Sequence, residues 1–351
     1  MRTGISVYFG SGIEENERTI DRARRSGATL AFTSLHIPEE DGVDYIRDAR
    51  RMLRSLRDAG IDLIADVGPE TCYKLGCAAI EDLVGLGITY VRLDDGFDAQ
   101  RTVELSRTFH IAFNASTVTA GEIATWRALG ADLRRFAACH NYYPKRNTGL
   151  DLEDVRRMND RLAVHGFEIL AFVPGDGELR GPLHEGLPTV EAHRVRSGEL
   201  ARNMLELACE AGCDGVLVGD VGLSDASWGS LARLSAGYVD VRCALEPAFS
   251  YLAGQIHHDR PDSSRLVFRS QESRRSLKPG FPIEADGLAG APRPVGSIAV
   301  SNTGYLRYEG ELEIARVGLA ADERMSVVGQ VHDDDLALLP LIKNGFGLRL
   351  V

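Results

Sequence analysis

Short apolar runs rich in β-branched and aromatic residues recur along the first two thirds of the chain. They are GISVYF (4–9), TLAFTSL (29–35), DLIADV (62–67), TYVRLDD (89–95), HIAFNAS (110–116), RFAACHNY (135–142), EILAFVPG (168–175) and GVLVGD (215–220). Their centres are almost continuously Val, Ile, Leu, Ala and Phe, as in strands covered on both faces of a parallel sheet. Between them the period changes. In 43–56, Val43, Ile46, Ala49, Leu53 and Leu56 fall three or four apart among Arg and Asp, which predicts a helix with one buried face. Asp151 opens another helical run to Leu162 ahead of Gly166, and a third extends from Glu199 to Ala211 and stops at Gly212. Strand followed by helix, eight times over, predicts an α/β fold of the (β/α)8 TIM-barrel type. A doubly wound open sheet is the alternative. It would more naturally carry a glycine-rich phosphate loop after the first strand, and GSGIEENE (10–17) matches one poorly.

After about residue 240 the helical pattern gives way to RLVFRSQ (265–271), GSIAVSN (296–302), GYLRYEGELEIARVGL (304–319) and RMSVVGQV (324–331), separated by Gly, Pro and Asp. This predicts a barrel domain over 1–240 and a small β-rich domain over 241–351, with the Pro/Gly-rich stretch 279–296 as a loop.

Composition narrows the function. The 351 residues, 44% hydrophobic and 26% charged, are those of a globular protein, and a net charge of −11 argues against nucleic acid or an anionic membrane as partner. A small anionic substrate is still compatible, because a local arginine pocket can sit in an acidic protein. Only Lys74, Lys145, Lys278 and Lys343 are lysines, and none lies in a predicted strand, which disfavours a Schiff-base aldolase. The six cysteines show no Cys-x-x-Cys or zinc spacing, and the nine histidines form no His-x-His on the first strand and no His-Glu-x-x-His. No metal and no cofactor are expected. The start MRTGISVYFG lacks the basic and long apolar segments of a signal peptide, and no apolar run approaches the roughly 20 residues of a membrane span. A cytoplasmic protein with reduced thiols follows as an expectation; self-association stays open.

Barrel enzymes react at the C-terminal ends of their strands. Here those ends carry Tyr8, Ser34, His36, Asp66, Asp94, Asp95, Asn114, Ser116, His140, Asn141, Tyr142 and Asp220. Strand alternation puts Arg92 and Asp94 on one face, with Arg92 a layer below and able to orient or ionise Asp94. The longest loop, PGDGELRGPLHEGLP (174–188), brings Asp176, Glu178, Arg180, His184 and Glu185, and Glu191, His193 and Arg194 follow at a helix start that would favour an anion. Two carboxylates facing each other across a polar mouth are what glycosidic hydrolysis requires. Asp94 and Glu185 are the preferred pair and Asp66 the substitute, while Tyr8, Tyr142 and Tyr143 are candidates to pack on sugar faces.

The motifs ISVYFG, FTSLH, DVGP, RLDDGF, CHNYYPKRNTGL, GPLHEGLPTVEAHR and SNTGYLRYEGELEI together resemble the bacterial 6-phospho-N-acetylmuramidases, over nearly the whole chain. The resemblance implies a TIM barrel with a cyclophilin-like C-terminal domain. It implies cytoplasmic hydrolysis of the β-1,4 bond of 6-phospho-N-acetylmuramyl-N-acetylglucosamine in cell-wall recycling. The motif positions are Asp66, Asp94, His140, Asn141, Tyr143, Arg146, Glu185, Glu191, His193 and Arg194. Asp95 and His184 depart from the pattern. Arg146, Arg194 and, in the tail domain, Arg307 are the candidate phosphate ligands, since a guanidinium suits bidentate contact. A non-catalytic phosphosugar sensor, or a sugar-phosphate lyase or isomerase, is the competing class.

Overall fold

Each of the eight apolar runs forms a strand: β1 (Arg2–Ser6), β2 (Leu30–Ser34), β3 (Asp62–Val67), β4 (Ile88–Leu93), β5 (His110–Asn114), β6 (Phe136–Cys139), β7 (Glu168–Val173) and β8 (Gly215–Val218). They pair in parallel in chain order and β8 returns to β1, so the sheet closes into a TIM barrel. This computed structural model describes residues 1–351 apart from 36–44, 69, 70, 94, 95, 278, 279, 286 and 288. The candidate Asp94, with Asp95 and His36, therefore lies outside the described residues. The chain divides into two units, Met1–Ser235 and Ala236–Val351.

The helices of the first unit are α1 (Ile13–Arg25), α2 (Tyr45–Asp58), α3 (Thr71–Leu75), α4 (Ala99–Leu105), α5 (Ala120–Ala128), α6 (Leu152–Ala163), α7 (Glu191–Arg194), α8 (Leu200–Leu205) and α9 (Asp225–Ser235). In α2 the predicted face buries Ala49, Leu53 and Leu56, whereas Ile46 in the first turn is exposed. Local sequence sets several ends. In α1, Glu14 and Glu15 lie in the first turn and Arg22, Arg24 and Arg25 in the last, each sign at the favourable end of the helix dipole. Thr119 and Glu122 form a reciprocal capping box on α5.

Alternate residues of each strand point into the barrel. The interior packs Leu30, Phe32, Ile64, Ala112, Ala137, Cys139, Leu170, Phe172 and Leu217. Gly4 and Gly215 make this possible, because a Cβ on Gly4 would lie 2.8 Å from Leu217 Cγ and one on Gly215 2.6 Å from Leu170 Cδ2. Below this layer the same columns end in charge. Arg2 bonds Asp62 at 2.5 Å, Glu168 at 2.9 Å and the Tyr90 hydroxyl at 3.0 Å, and Tyr90 donates to Glu168 at 2.7 Å. The Tyr90 ring stacks on His110 with centroids 4.6 Å apart.

The second unit holds β9 (Tyr238–Val241), β10 (Cys243–Leu245), β11 (Ile256–His258), β12 (Val267–Arg269), β13 (Ser297–Ser301), β14 (Leu312–Ala315), β15 (Met325–Val331) and β16 (Gly347–Leu350). One sheet has the order β10-β15-β13-β14-β12 and the other β11-β16-β9. The predicted strand run 304–319 is corrected in its first half. Asn302 caps a 3-10 turn at Thr303–Tyr308 through the Gly304 amide, and the strand begins only at Leu312, after Gly310 at φ 85°. Arg316 is buried in this unit, bonded to Asp259 at 3.0 Å and to the carbonyls of Leu339 and Val267 at 3.0 and 3.1 Å.

Candidate active site

One layer above the apolar interior, the inward columns become polar again. Asp66 and Arg92 are direct neighbours in the β3–β4 register, and Arg92 Nη1 donates to Asp66 Oδ1 at 2.9 Å. Arg92 Nη2 bonds Asn141 Oδ1, tying strand four to the end of strand six. Burial pulls the pKa of Arg92 down, but the Asp66 charge, its hydrogen bond and the nearby Cys139 and Tyr142 together outweigh it and raise the pKa, so Arg92 keeps its charge. Arg92 Nε is buried and, among the described residues, has no partner of its own. Asp66, Arg92, Asn114 and Asn141 wall a cavity of about 520 Å³ that extends to Trp126 and Glu122. Thus the partner found for Arg92 is Asp66, the carboxylate that the sequence left as a substitute.

The segment after β6 distributes four consecutive side chains in four directions. His140 points outward, fully buried, with Nε2 against Asn159 Oδ1 at 2.7 Å, and burial lowers its pKa. Asn141 faces the cavity. Tyr142 packs edge-on against Phe32 and Phe172, with centroids 5.8 and 5.3 Å away, and its hydroxyl accepts from Arg180 Nη1 at 2.7 Å. Tyr143 is half-buried; its carbonyl accepts from Arg194 Nη2 at 2.8 Å.

The loop after β7 is organised by one carboxylate. Asp220 is buried and takes the amides of Gly175 (2.9 Å), Arg180 (3.0 Å) and Leu187 (3.0 Å). Asp176 is likewise structural, accepting from the Ser224 and Ser227 hydroxyls at 2.6 and 2.8 Å. Glu185 pairs with Arg146 across the rim. His184 is exposed at φ 51°, with Nδ1 2.8 Å from the Leu179 carbonyl.

Other predicted ligands have the following partners within the protein. Arg194 uses all five of its N–H groups inside the protein: Nε on Glu191, Nη1 on the carbonyls of Glu185 and Gly186, and Nη2 on Glu191 and Tyr143. Glu191 also receives the amides of Asn147 and Gly149, at 2.9 and 2.8 Å, and these bonds, Arg194 first, hold its pKa down at about 2. The two residues clamp the loops after β6 and β7 and leave nothing for a phosphate. His193 is turned away from the mouth, fully buried, with Nε2 3.0 Å from Glu206. Tyr8 is 3% exposed, donates to the Gly219 carbonyl at 2.8 Å, and has Arg180 over its ring at 3.7 Å, so it offers no face to a sugar. Asn114 lines the cavity while its Oδ1 accepts the Ser116 amide at 2.9 Å. Arg307 belongs to the second unit, where it stacks on Tyr308 at 4.9 Å and donates to that hydroxyl at 2.9 Å.

The chain matches the 6-phospho-N-acetylmuramidase N-terminal family over residues 3–233 and the corresponding C-terminal family over 239–351. The chain belongs to the 6-phospho-N-acetylmuramidase family. It is similar in structure to a conserved Enterococcus faecalis protein with an unknown function: 30% identity, TM-score 0.74, covering 100% of this chain and 96% of that one. An uncharacterised B. cereus protein superposes with TM-score 0.72 at 24% identity, covering 100% and 99%. Among curated proteins none matches the sequence. The family's name denotes a glycosidase acting on a phosphorylated sugar. Among the described residues, no helix is long and apolar enough to cross a membrane.

Two residues named in the sequence sit in partnerships that it did not assign. Arg180 is the one arginine of loop 174–188, and Tyr142 accepts its hydrogen bond.

Proposed function

We propose that the barrel mouth hydrolyses the β-1,4 bond of 6-phospho-N-acetylmuramyl-N-acetylglucosamine, or of a closely related phosphorylated disaccharide, with two carboxylates and no metal. The observation that carries this reading is the cavity of about 520 Å³ walled by the Asp66–Arg92–Asn141 chain, within the size range of small-ligand sites. A carboxylate fixed by a guanidinium stays charged. That suits the partner that stabilises, attacks or activates water against the oxocarbenium-like centre, so Asp66 takes this role.

The proton donor must instead hold its proton near neutrality. Glu185 is engaged with Arg146 across the rim, so Asp94, which alternation in the sequence assigns to the face of Arg92, is the proposed acid. Glu185 then closes the rim. The clamp of Glu191 and Arg194 positions the loops that carry Tyr143 and Glu185. Within this reading the second unit is a cyclophilin-like domain and the protein acts in the cytoplasm on recycled cell-wall sugar.

The deciding experiment is release of N-acetylglucosamine from the phosphorylated disaccharide by the purified protein, with EDTA present. Turnover is expected. Tight binding without turnover would favour a phosphosugar sensor, and this reading would fall.

A further inference from the structure

Counting partners separates the arginines of the barrel mouth. Arg92 is held by Asp66 and Asn141, Arg146 by Glu185, and Arg194 has no donor left. Arg180 is different. Among the described residues no carboxylate pairs with it, and its one side-chain hydrogen bond goes to the Tyr142 hydroxyl at 2.7 Å. It walls a second cavity, of about 290 Å³, together with Tyr8, Ser11, Glu178 and His184. Glu178 on that wall is exposed and makes no ion pair with it among the described residues.

The side chain is nevertheless fixed. Its Cζ lies 3.7 Å from the centroid of the Tyr8 ring, and the Tyr8 hydroxyl is held in turn by the Gly219 carbonyl. Its main-chain amide is fixed by Asp220 at 3.0 Å. The neighbouring backbone is pinned to the loop after β8, with the Gly222 amide 2.9 Å from the Glu178 carbonyl. A guanidinium held over an aromatic face and hydrogen-bonded at one corner keeps its remaining donors pre-arranged for a planar or tetrahedral oxyanion. The loops after strands seven and eight are also where TIM barrels commonly gather a phosphate.

We infer that Arg180, seated on Tyr8 and steered by Tyr142, is the specificity-determining residue for a phosphomonoester, and that its cavity is the phosphate subsite. The ligand class rests on the glycosidase reading above; the residue assignment rests on the geometry. Ser11, on the same wall, supplies a hydroxyl donor to the same group.

The test is calorimetry on the full chain with N-acetylmuramic acid 6-phosphate, N-acetylmuramic acid and inorganic phosphate. The wild type should bind the phosphorylated sugar at least about tenfold more tightly than the unphosphorylated one. Arg180→Gln should abolish that preference while binding the unphosphorylated sugar within about twofold of wild type. Arg180→Lys, which keeps the charge and guards against a folding defect, should retain part of it. Tyr142→Phe should weaken the preference by less than Arg180→Gln does. An undiminished preference in Arg180→Gln, or no preference in the wild type, overturns the inference. Loss of preference in Arg180→Gln by a protein that does not hydrolyse the disaccharide upholds the subsite and defeats the glycosidase reading. Hydrolysis with selectivity intact in Arg180→Gln does the reverse.

Discussion

The two ends of the barrel interior are built from the same columns and both terminate in charge, yet they do opposite things. At the lower end Arg2, Asp62, Tyr90 and Glu168 answer one another, and the His110 ring lies flat against Tyr90. At the upper end the Asp66–Arg92–Asn141 chain borders open space and, among the described residues, Arg92 Nε is unanswered and Arg180 keeps donors with no protein acceptor. Convergence of polar residues is therefore not what marks a site, since both ends have it. The difference lies in whether the groups satisfy each other. A closed set reports a plug; an open set reports a place for something else.

The comparison can be broken most sharply by exchanging a single residue at each end. Asp66→Asn should lower kcat/KM on the phosphorylated disaccharide by at least about a hundredfold while moving stability by only ~1 kcal/mol. A near-wild-type rate would remove Asp66 from the chemistry. Gly177→Ala comes next. The new Cβ would lie 2.9 Å from Gly222 C and Leu223 N, both backbone atoms that cannot swing away. The loop bearing Arg180 must shift, and kcat/KM should fall about tenfold with ~1–3 kcal/mol of stability lost.

At the plug the pattern should reverse. Arg2→Met leaves Asp62 and Glu168 facing each other in a part-buried setting and should cost roughly 1–3 kcal/mol in denaturant unfolding, with kcat/KM unchanged. Lost activity at full stability would refute the division between the ends. The smallest effect concerns acid. Glu191 is held at about 2 against the usual 4.5, and Glu206 is also lowered, because hydrogen bonds from His193, Arg196 and Arg202 outweigh the upward push of its burial. A depressed carboxylate stabilises the fold above its unfolded pKa and loses that contribution as pH falls through the folded one. Melting temperature should hold down to about pH 4.5 and decline towards pH 2, and Glu191→Gln should flatten part of that limb.

The barrel was legible because strands buried on both faces have almost no freedom of composition, so eight apolar runs announce themselves. The second unit was only half legible. β9, β10, β11 and β16 are three or four residues long, and β16 pairs with β9 from the far end of the unit, so no local pattern marks them. At the site, residue types at strand ends were readable but partners were not. Which carboxylate meets Arg92 depends on the β3–β4 register, which passes through a shift between Leu63 and Ile64. His140 could have been placed better. Cys139 and Asn141 share the inward face, so alternation alone sends His140 outward. His193 and Arg194 lie on one short helix but serve different neighbours, and a single turn gives no periodicity from which to separate them.

Asp220 has a consequence for the loop's freedom to change. By taking the amides of Gly175, Arg180 and Leu187, one side chain cuts a long connection into two short arcs whose ends are fixed. The chain entropy of ordering the loop then belongs to each arc separately and grows only slowly with its length. The tip between Gly181 and His184, which is exposed, can accept new sequence or an extra residue without dislodging Arg180. A barrel of this build can rewrite one arc of its rim while the anchor points hold the rest in register.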